Sequence, residues 1–296
     1  MKKKKEFEIY LNKKFTCDYT VQQHIGNVTY FNDWLKTNSM FDIIRTTASV
    51  ILLYVKYLQA VPIKTGTINT RLNSLRKYFD CMIKLGYIAR NPSLTIHVKG
   101  RENKVVENPL SSDTLNNLHQ QFELFLDAKP KPINIKSEAD TFSKQRKKLI
   151  LSLMIYQGLD TGELNNLCVT DFNANKGTIY IASKNRRNSR VLNLEPFQIL
   201  PFLEYLKFLP ATQEKVFTIR ISDFMTFILS CIKGIEPQVR NAEHIRQSRI
   251  MIWVSTLNLR EAQYRIGHKF VSSTEQYLQQ NTTELVEEIN TLHLFR

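Results

Sequence analysis

The sequence has few of the features that mark exported, membrane-spanning or low-complexity proteins. Its 296 residues include only 9 Gly and 9 Pro, which excludes a collagen-like chain or a Gly/Pro-rich repeat. No apolar run approaches the roughly 20 residues that a membrane-spanning helix needs. The lysine run at residues 2–5 is followed by Glu6-Phe7-Glu8 and not by an apolar signal core, so we expect no export and no membrane partner.

Cysteine is also scarce, and its distribution excludes one class of metal site. The four cysteines lie far apart without a Cys-x-x-Cys pair, which excludes a zinc ribbon and is typical of reduced thiols in the cytoplasm: Cys17, Cys81, Cys168 and Cys231. The acidic residues form no cluster with the spacing of a metal-dependent nuclease. We therefore expect a cytoplasmic protein without a bound metal.

Negative charge is the scarcer sign. The chain has 41 Lys and Arg against 27 Asp and Glu, a net charge of +14 and a pI of about 9.6. Residues 1–107 carry 18 basic against 8 acidic residues, whereas residues 108–296 carry 23 against 19. Such an excess favours a nucleic-acid partner, and the basic character is concentrated in the first third of the chain. Charge alone leaves open a helical RNA-binding protein or a merely solvated basic surface.

The first third of the sequence has helical periodicity. Apolar residues recur at helical spacing over residues 20–35, 46–58 and 67–85, and Gly86 is placed to end the third helix. A polar stretch with a glycine follows at residues 99–109. This stretch is the candidate linker between two domains, which we predict at residues 1–105 and 106–296.

The second part of the sequence combines helices with one hairpin. Helix-capping residues at 111–113 precede an apolar-periodic segment, and a second helix runs through residues 149–156. Two alternating β-branched runs, at residues 177–182 and 190–194, are separated by a short basic and polar segment. The sequence therefore predicts a mainly α protein with a small antiparallel β-sheet.

One motif near the end of the chain is specific. Residues 266–278 read I-G-H-K-F-V-S-S-T-E-Q-Y-L, with Tyr277 nine positions after His268. This segment resembles the nucleophile motif of the tyrosine recombinases, the phage-integrase-like family. Weaker resemblances to the family's other motifs follow the same order along the chain, at residues 67–92, 110–113, 156–167, 183–190 and 243–249. The resemblance implies a tyrosine-recombinase catalytic fold preceded by a helical, DNA-clamping core-binding domain.

The family's chemistry needs neither a metal nor a nucleotide cofactor. A tyrosine attacks a DNA phosphate, forming a 3′-phosphotyrosyl bond and releasing a 5′-hydroxyl. The resemblance makes Tyr277 the nucleophile, and Arg246 and His268 donors to the phosphate oxygens. It makes Lys184 the candidate general acid, with its hairpin neighbours Arg186 and Arg187 as rivals for that role.

Two family positions are degenerate. Asp160 stands where the family has its first arginine, and Glu243 where it has the histidine of a His-x-x-Arg helix. On a helix Glu243 shares a face with Arg246, while His244 lies about 200° away and cannot substitute. Arg249, three residues beyond Arg246, is a possible compensating guanidinium. The set also resembles a divergent, mobile-element subgroup of the family in which the first arginine is replaced.

Two functions remain open. The first is an active recombinase that integrates or excises a mobile element, working on double-stranded DNA as a homo-oligomer, a tetramer on paired sites, or with a partner recombinase. The second is a catalytically impaired homologue that acts as a DNA-binding or accessory protein. A tail helix at about residues 282–295 would link protomers or pack on its own domain. The residues predicted to contact DNA are Arg71, Arg76, Lys77, Lys144, Lys147, Arg186 and Arg187.

Overall fold

The computed structural model describes residues 3–15, 18–40, 42–100, 106–128, 137–183 and 187–278. The chain divides into two compact units, Met1–Asn103 and Lys104–Arg296, so that the division falls inside the polar stretch 99–109. Within the described ranges, no helix combines the length and the apolar character that a membrane crossing requires. The predicted tail helix at 282–295 lies outside the described residues.

The first unit is a small helical domain with its own core. Its elements are α1 (Lys4–Asn12), α2 (Asp18–Thr37), a 3-10 turn (Ile43–Arg45), α3 (Ala48–Ala60) and α4 (Thr65–Lys84). Helix α4 contributes the apolar stripe that periodicity predicts, and its Leu72, Leu75 and Phe79 are fully buried. Gly86, at φ 76°, follows the helix in the left-handed conformation that glycine adopts without strain.

The segment after α4 explains why Arg76 is not a free surface cation. Its Nε donates to the carbonyl of Ser93 at 3.2 Å, and its Nη2 donates to the carbonyl of Ile96. Asn91 adds a bond to Asp80 at 2.7 Å, which fixes the same turn. The guanidinium of Arg76 therefore holds a loop of its own domain, and its contact with DNA stays a prediction.

The second unit holds the remaining helices and the sheet. Its elements are α5 (Ser112–Ala128), α6 (Ser137–Tyr156), α7 (Thr161–Asn166), a 3-10 turn (Val169–Asp171), β1 (Phe172–Asn173), β2 (Thr178–Ile181), β3 (Arg190–Asn193), α8 (Pro196–Lys207), α9 (Ile221–Ile235), α10 (Ala242–Thr256) and α11 (Leu259–Ile266). Residues 272–278 are helical as well. Helix α6 is central, because α5, α8 and α10 all pack against it and its residues 149–155 are buried.

The three strands form one antiparallel sheet in the order β1-β2-β3. Ile179 pairs with Leu192, and Ile181 pairs with Arg190. Side chains alternate across the hairpin, so the face that buries Ile179 and Leu192 also buries Arg190. The predicted fold class, mainly α with a small antiparallel sheet, is confirmed, and the sheet carries a charged side chain into the interior.

Candidate active site

Asp160, the acid that stands where the family has its first arginine, caps a helix. Asp160 is the N-cap of α7, where its Oδ1 accepts a hydrogen bond from the Glu163 amide at 2.7 Å. In return Glu163 Oε2 accepts from the Asp160 amide at 3.1 Å, which completes a capping box. Asp160 therefore has a local structural role that the sequence motif alone did not reveal.

Glu163 is the centre of a buried ion-pair cluster. Its side chain is 4% exposed, and its Oε1 accepts from Arg190 Nη1 at 2.8 Å. Its Oε2 lies 3.1 Å from Arg246 Nη1 and 3.0 Å from Arg187 Nη1. Arg187 also pairs with Asp160, and Arg246 Nη1 lies 3.5 Å from the same carboxylate. We call Asp160, Glu163, Arg187, Arg190 and Arg246 the arginine cluster.

Electrostatics keep Glu163 ionised. Burial by itself would raise the pKa of Glu163, but the neighbouring Arg190, Arg246 and Arg187 outweigh burial and lower that pKa to about 2. The carboxylate is therefore charged at neutral pH. With two acids and three arginines, the arginine cluster has one net positive charge, which is the sign needed to hold a phosphodiester.

Two arginines of the cluster are almost fully buried and also bind backbone. Arg190 donates from Nε to the carbonyl of Arg265 at 2.8 Å, and Arg246 donates from Nη2 to the carbonyl of Ile266 at 3.3 Å. Those carbonyls belong to the last turn of α11, where cations favourably complement the helix dipole. The cluster thereby fixes the end of α11, from which Gly267 and His268 follow.

Gly267 allows the chain to pass closely over the cluster. It ends α11 at φ 80°, and its carbonyl accepts from the Asn188 amide at 2.9 Å. A Cβ at this position would lie 2.5 Å from Arg190 Nη1. The glycine of the Gly-His pair is thus required both by backbone conformation and by the buried guanidinium beside it.

Replacing Gly267 by Ala is expected to destabilise the second unit. The left-handed backbone costs roughly 1–2 kcal/mol for a non-glycine residue, and displacement of Arg190 from Glu163 adds to that cost. Urea unfolding measures the change. Gly234→Ala is the matched control, because Gly234 lies in α9 with nothing within 4 Å of its Cβ position. Equal stability of the two variants would contradict this account.

His268 is held between the arginine cluster and the helical segment 272–278, which carries Tyr277. Its Nδ1 lies 3.0 Å from Oγ1 of Thr274, which is fully buried, and its ring centroid lies 6.1 Å from that of Tyr277. Burial, followed by the charges of Arg246, Arg187 and Arg190, lowers the pKa of His268 to about 4. The imidazole is therefore neutral at pH 7 and retains one N–H to donate.

An imidazole NMR titration should show His268 uncharged down to about pH 4, whereas an unperturbed histidine titrates at 6.5. The His268 signal is assigned by its loss in His268→Gln. Since the folded pKa lies below the unfolded one, the stability contributed by this histidine is complete above pH 6.5. It is lost as the pH falls from 6.5 to about 4. Titration near pH 6.5 in the folded protein would contradict the placement of His268.

Tyr277 lies on the helical segment 272–278, half-buried beside a small apolar cluster. Burial and the charge of Glu243 raise the pKa of Tyr277, while Arg246 and Arg187 lower it without compensating. No hydrogen bond among the described residues involves its hydroxyl. The phenol is therefore protonated at neutral pH, and an attacking Tyr277 would have to lose its proton as it reacts.

Helix α10 presents two different surfaces, as helix geometry predicts. Glu243 is exposed, and its charge acts on both Arg246 and Tyr277. His244 is buried on the other side, where its Nε2 donates to the carbonyl of Asn108 at 2.9 Å and its Nδ1 accepts from the Arg240 amide at 3.3 Å. His244 is a structural histidine in this arrangement.

Arg249 does not supply the missing guanidinium, so that expectation is wrong. Its Nε donates to the carbonyl of Ile155 at 2.6 Å, and its guanidinium lies 5.6 Å from the centre of the Tyr156 ring. Among the described residues, no ion pair joins Arg249 to Asp160 or Glu163. The carbonyl of Ile155 lies in the last turn of α6, where helix carbonyls lack a partner within the helix, and it therefore binds Arg249 away from the arginine cluster.

The other predicted basic residues are placed unevenly. Lys184 and Arg186 lie outside the described residues. Lys144 pairs with Asp140 at 3.1 Å, and the ammonium of Lys147 lies 4.5 Å from the centre of the Phe227 ring. In the first unit, Arg71 lies 4.1 Å from the centre of the Tyr30 ring, and Lys77 5.0 Å from that of Phe15. Contacts of these residues with DNA stay a prediction.

Comparisons with known proteins agree with this site. No protein-family model matches the sequence. The chain is 21% identical over 284 residues to tyrosine recombinase XerC of Oceanobacillus iheyensis, covering 90% of this chain and 87% of the relative. Sequence similarity thus extends over both units.

Two solved structures share the fold. The XerH site-specific recombinase bound to difH matches with a TM-score of 0.62 at 15% identity, covering 87% of this chain and 76% of that one. A lambda integrase dimer bound to a COC′ core site matches with a TM-score of 0.61 at 14% identity, covering 93% and 75%. The resemblance to the tyrosine recombinases is confirmed: the chain has their fold and is similar to them along most of its length.

Proposed function

We propose that this chain, which has the tyrosine-recombinase fold, cleaves and rejoins DNA strands through a covalent bond to Tyr277. The observation that carries the proposal is the arrangement around Arg246. A net positive arginine cluster, the neutral donor His268 and the hydroxyl-bearing Tyr277 lie together on α10, on the hairpin and on the segment after α11. These are the groups that phosphoryl transfer to a tyrosine requires.

In the proposed reaction Tyr277 Oη attacks the phosphorus of one DNA strand. The bond from phosphorus to the tyrosine oxygen forms as the bond to the 5′-oxygen breaks, and the tyrosine proton passes to water. Guanidinium groups of the cluster and the N–H of His268 stabilise the extra negative charge on the non-bridging oxygens. Lys184 stays the predicted donor of a proton to the leaving 5′-oxygen. Attack by a 5′-hydroxyl on the phosphotyrosine reverses these steps and rejoins a strand.

The proposed substrate is double-stranded DNA, and the proposed role is integration or excision of a mobile element. Support comes from the excess of basic residues in the first 107 positions and from the two structural neighbours, which are a DNA-bound recombinase and a DNA-bound integrase dimer. By the same reasoning we propose that the chain oligomerises on DNA. A tetramer on paired sites and a cytoplasmic location stay predictions.

A second candidate function is DNA binding without cleavage. It is favoured by the two acids at family positions that should hold or surround a phosphate, Asp160 and Glu243. The charge of Glu243 also raises the pKa of Tyr277, which disfavours the phenolate. The rival therefore predicts ordinary DNA affinity and no covalent product.

A covalent-adduct assay separates the two candidates. The protein is incubated with a pool of nicked duplexes of randomised sequence, because no single target can be chosen in advance, and the products are resolved on a denaturing gel. A protein–DNA adduct that a protease degrades supports cleavage. If neither the natural chain nor Asp160→Arg yields an adduct while both bind DNA, strand cleavage is refuted and the binding role stands.

A further inference from the structure

Arg187 and Asp160 form a pair that the family motifs do not anticipate. Arg187 lies at the end of the hairpin, where it bridges to His268 in an isolated β-bridge. Its Nη1 contacts the carboxylates of both Asp160 and Glu163. Its side chain is 27% exposed, whereas those of Arg246 and Arg190 are 2% and 1% exposed. Arg187 is therefore the guanidinium of the cluster that reaches the surface.

We propose that Arg187 replaces the missing first arginine as a phosphate-binding group, and that Asp160 is the positioning residue that holds Arg187 in place. This inference rests on the proposed function and names a further catalytic residue for it. The acid at position 160 then belongs to a working site in which the guanidinium comes from the hairpin instead of from the start of α7.

The hydrogen-bonding capacity of Arg187 fits this role. A guanidinium has five N–H groups arranged as a planar fork, which can bind two oxygens of one phosphate. The contacts of Arg187 with Asp160 and Glu163 use Nη1 alone. No bond to its Nε or Nη2 occurs among the described residues, so these donors can meet a phosphate while Nη1 remains anchored.

The charge of the cluster also depends on Arg187. With Arg187 present, three arginines face two carboxylates and one positive charge remains. Without it, Arg190 and Arg246 would only neutralise Asp160 and Glu163, and no net positive charge would remain in the arginine cluster to attract a phosphate. The phosphoryl-transfer transition state carries more negative charge than the diester, so the loss would be felt most during the reaction.

The acid at position 160 and the arginine at position 187 depend on each other physically. An arginine at position 160 would place a second cation against Arg187, and like charges at this separation repel. An acid at 160 attracts Arg187 and at the same time caps α7 through its other oxygen. Asp160 and Arg187 therefore stabilise each other, whereas an arginine at position 160 beside Arg187 would not be stabilised.

The test compares single-turnover rates of adduct formation on the nicked-duplex pool. Arg187→Ala should react on the order of 100–1,000-fold more slowly, as expected for loss of one transition-state donor. Arg187→Lys keeps the charge without the fork and should remain at least tenfold slow. Arg240→Ala is the matched control, because Arg240 pairs with Glu107 and belongs to no part of the cluster, and it should react within a few-fold of the natural chain.

The double variant Asp160→Arg with Arg187→Ala moves the guanidinium back to the family position. It should form the adduct at least tenfold faster than Arg187→Ala does. An Arg187→Ala protein that is folded by circular dichroism and reacts at the natural rate overturns the inference, while the adduct of the natural chain still upholds the proposed function. No adduct from any variant defeats the proposed function instead.

A binding measurement tests Arg187 even without turnover. Inorganic phosphate is titrated into the natural chain while the arginine Nε–H signals are followed by NMR, with the Arg187 signal assigned by its loss in Arg187→Lys. A saturable shift of the Arg187 signal supports phosphate binding. Saturation of other cluster signals with none at Arg187, or no saturable shift at all, overturns it.

Discussion

Tyr277→Phe is expected to eliminate the covalent protein–DNA adduct while leaving the fold and the DNA affinity unchanged. The substitution removes one oxygen atom, and no hydrogen bond among the described residues depends on that oxygen. The ring continues to pack against the apolar cluster of α10 and α11. Removing the nucleophile of a covalent enzyme lowers the rate by about a million-fold, which puts the adduct below detection.

The control for this variant is Tyr264→Phe. Tyr264 also lies near the end of the chain, but its hydroxyl bonds to the backbone of Val191 at 3.0 Å and 3.3 Å. We expect it to retain the adduct, at a stability cost of about 1 kcal/mol for the lost hydrogen bonds. An adduct that persists in Tyr277→Phe and disappears in Tyr264→Phe would identify Tyr264 as the nucleophile and would contradict our proposal.

Glu163→Gln is expected to cost about 3–5 kcal/mol of unfolding free energy, which is typical of removing one partner from a buried charge network. The amide has nearly the shape of the carboxylate, so packing is preserved. It leaves Arg190 and Arg246, both almost fully buried, without their shared counter-ion. The end of α11 would lose its anchor as well, since the same two arginines bind its carbonyls.

Urea unfolding measures this loss, with Glu261→Gln as the control. Glu261 pairs with Arg265 on the surface, and exposed pairs contribute only about 0–1 kcal/mol. The pH dependence gives a second check. The folded pKa of Glu163, about 2, lies below the ordinary 4.5, so its stabilising contribution is complete above pH 4.5 and is lost as the pH falls toward 2. Equal losses in the two variants would show that the cluster is not a structural centre.

Much of the fold could be predicted from local sequence. Helices with an apolar stripe, such as α4, and strands with alternating burial, such as β2 and β3, reveal themselves through their period. The spacing of nine residues between His268 and Tyr277 is also local information, because a turn and a short helix join them. The helical wheel correctly separated Glu243 from His244 for the same reason.

The prediction that failed depended on long side chains. Arg249 lies near Arg246 on the helix, yet its guanidinium bends to the carbonyl of Ile155. Arg190 and Glu163 were not singled out at all. Retrospectively, two signals existed: an acid three residues after the capping Asp160, and an arginine on the inward-facing register of a strand.

The sequence by itself determined most of the elements, their order and the resemblance to the tyrosine recombinases, because period, capping and motif spacing act within one or two turns of chain. Only the tertiary structure decided how the charges are paired. Glu163 comes from α7, Arg187 and Arg190 from the hairpin, and Arg246 from α10. These ion pairs follow from burial, because a charge removed from water is stable only when it is paired with an opposite charge on a neighbouring element.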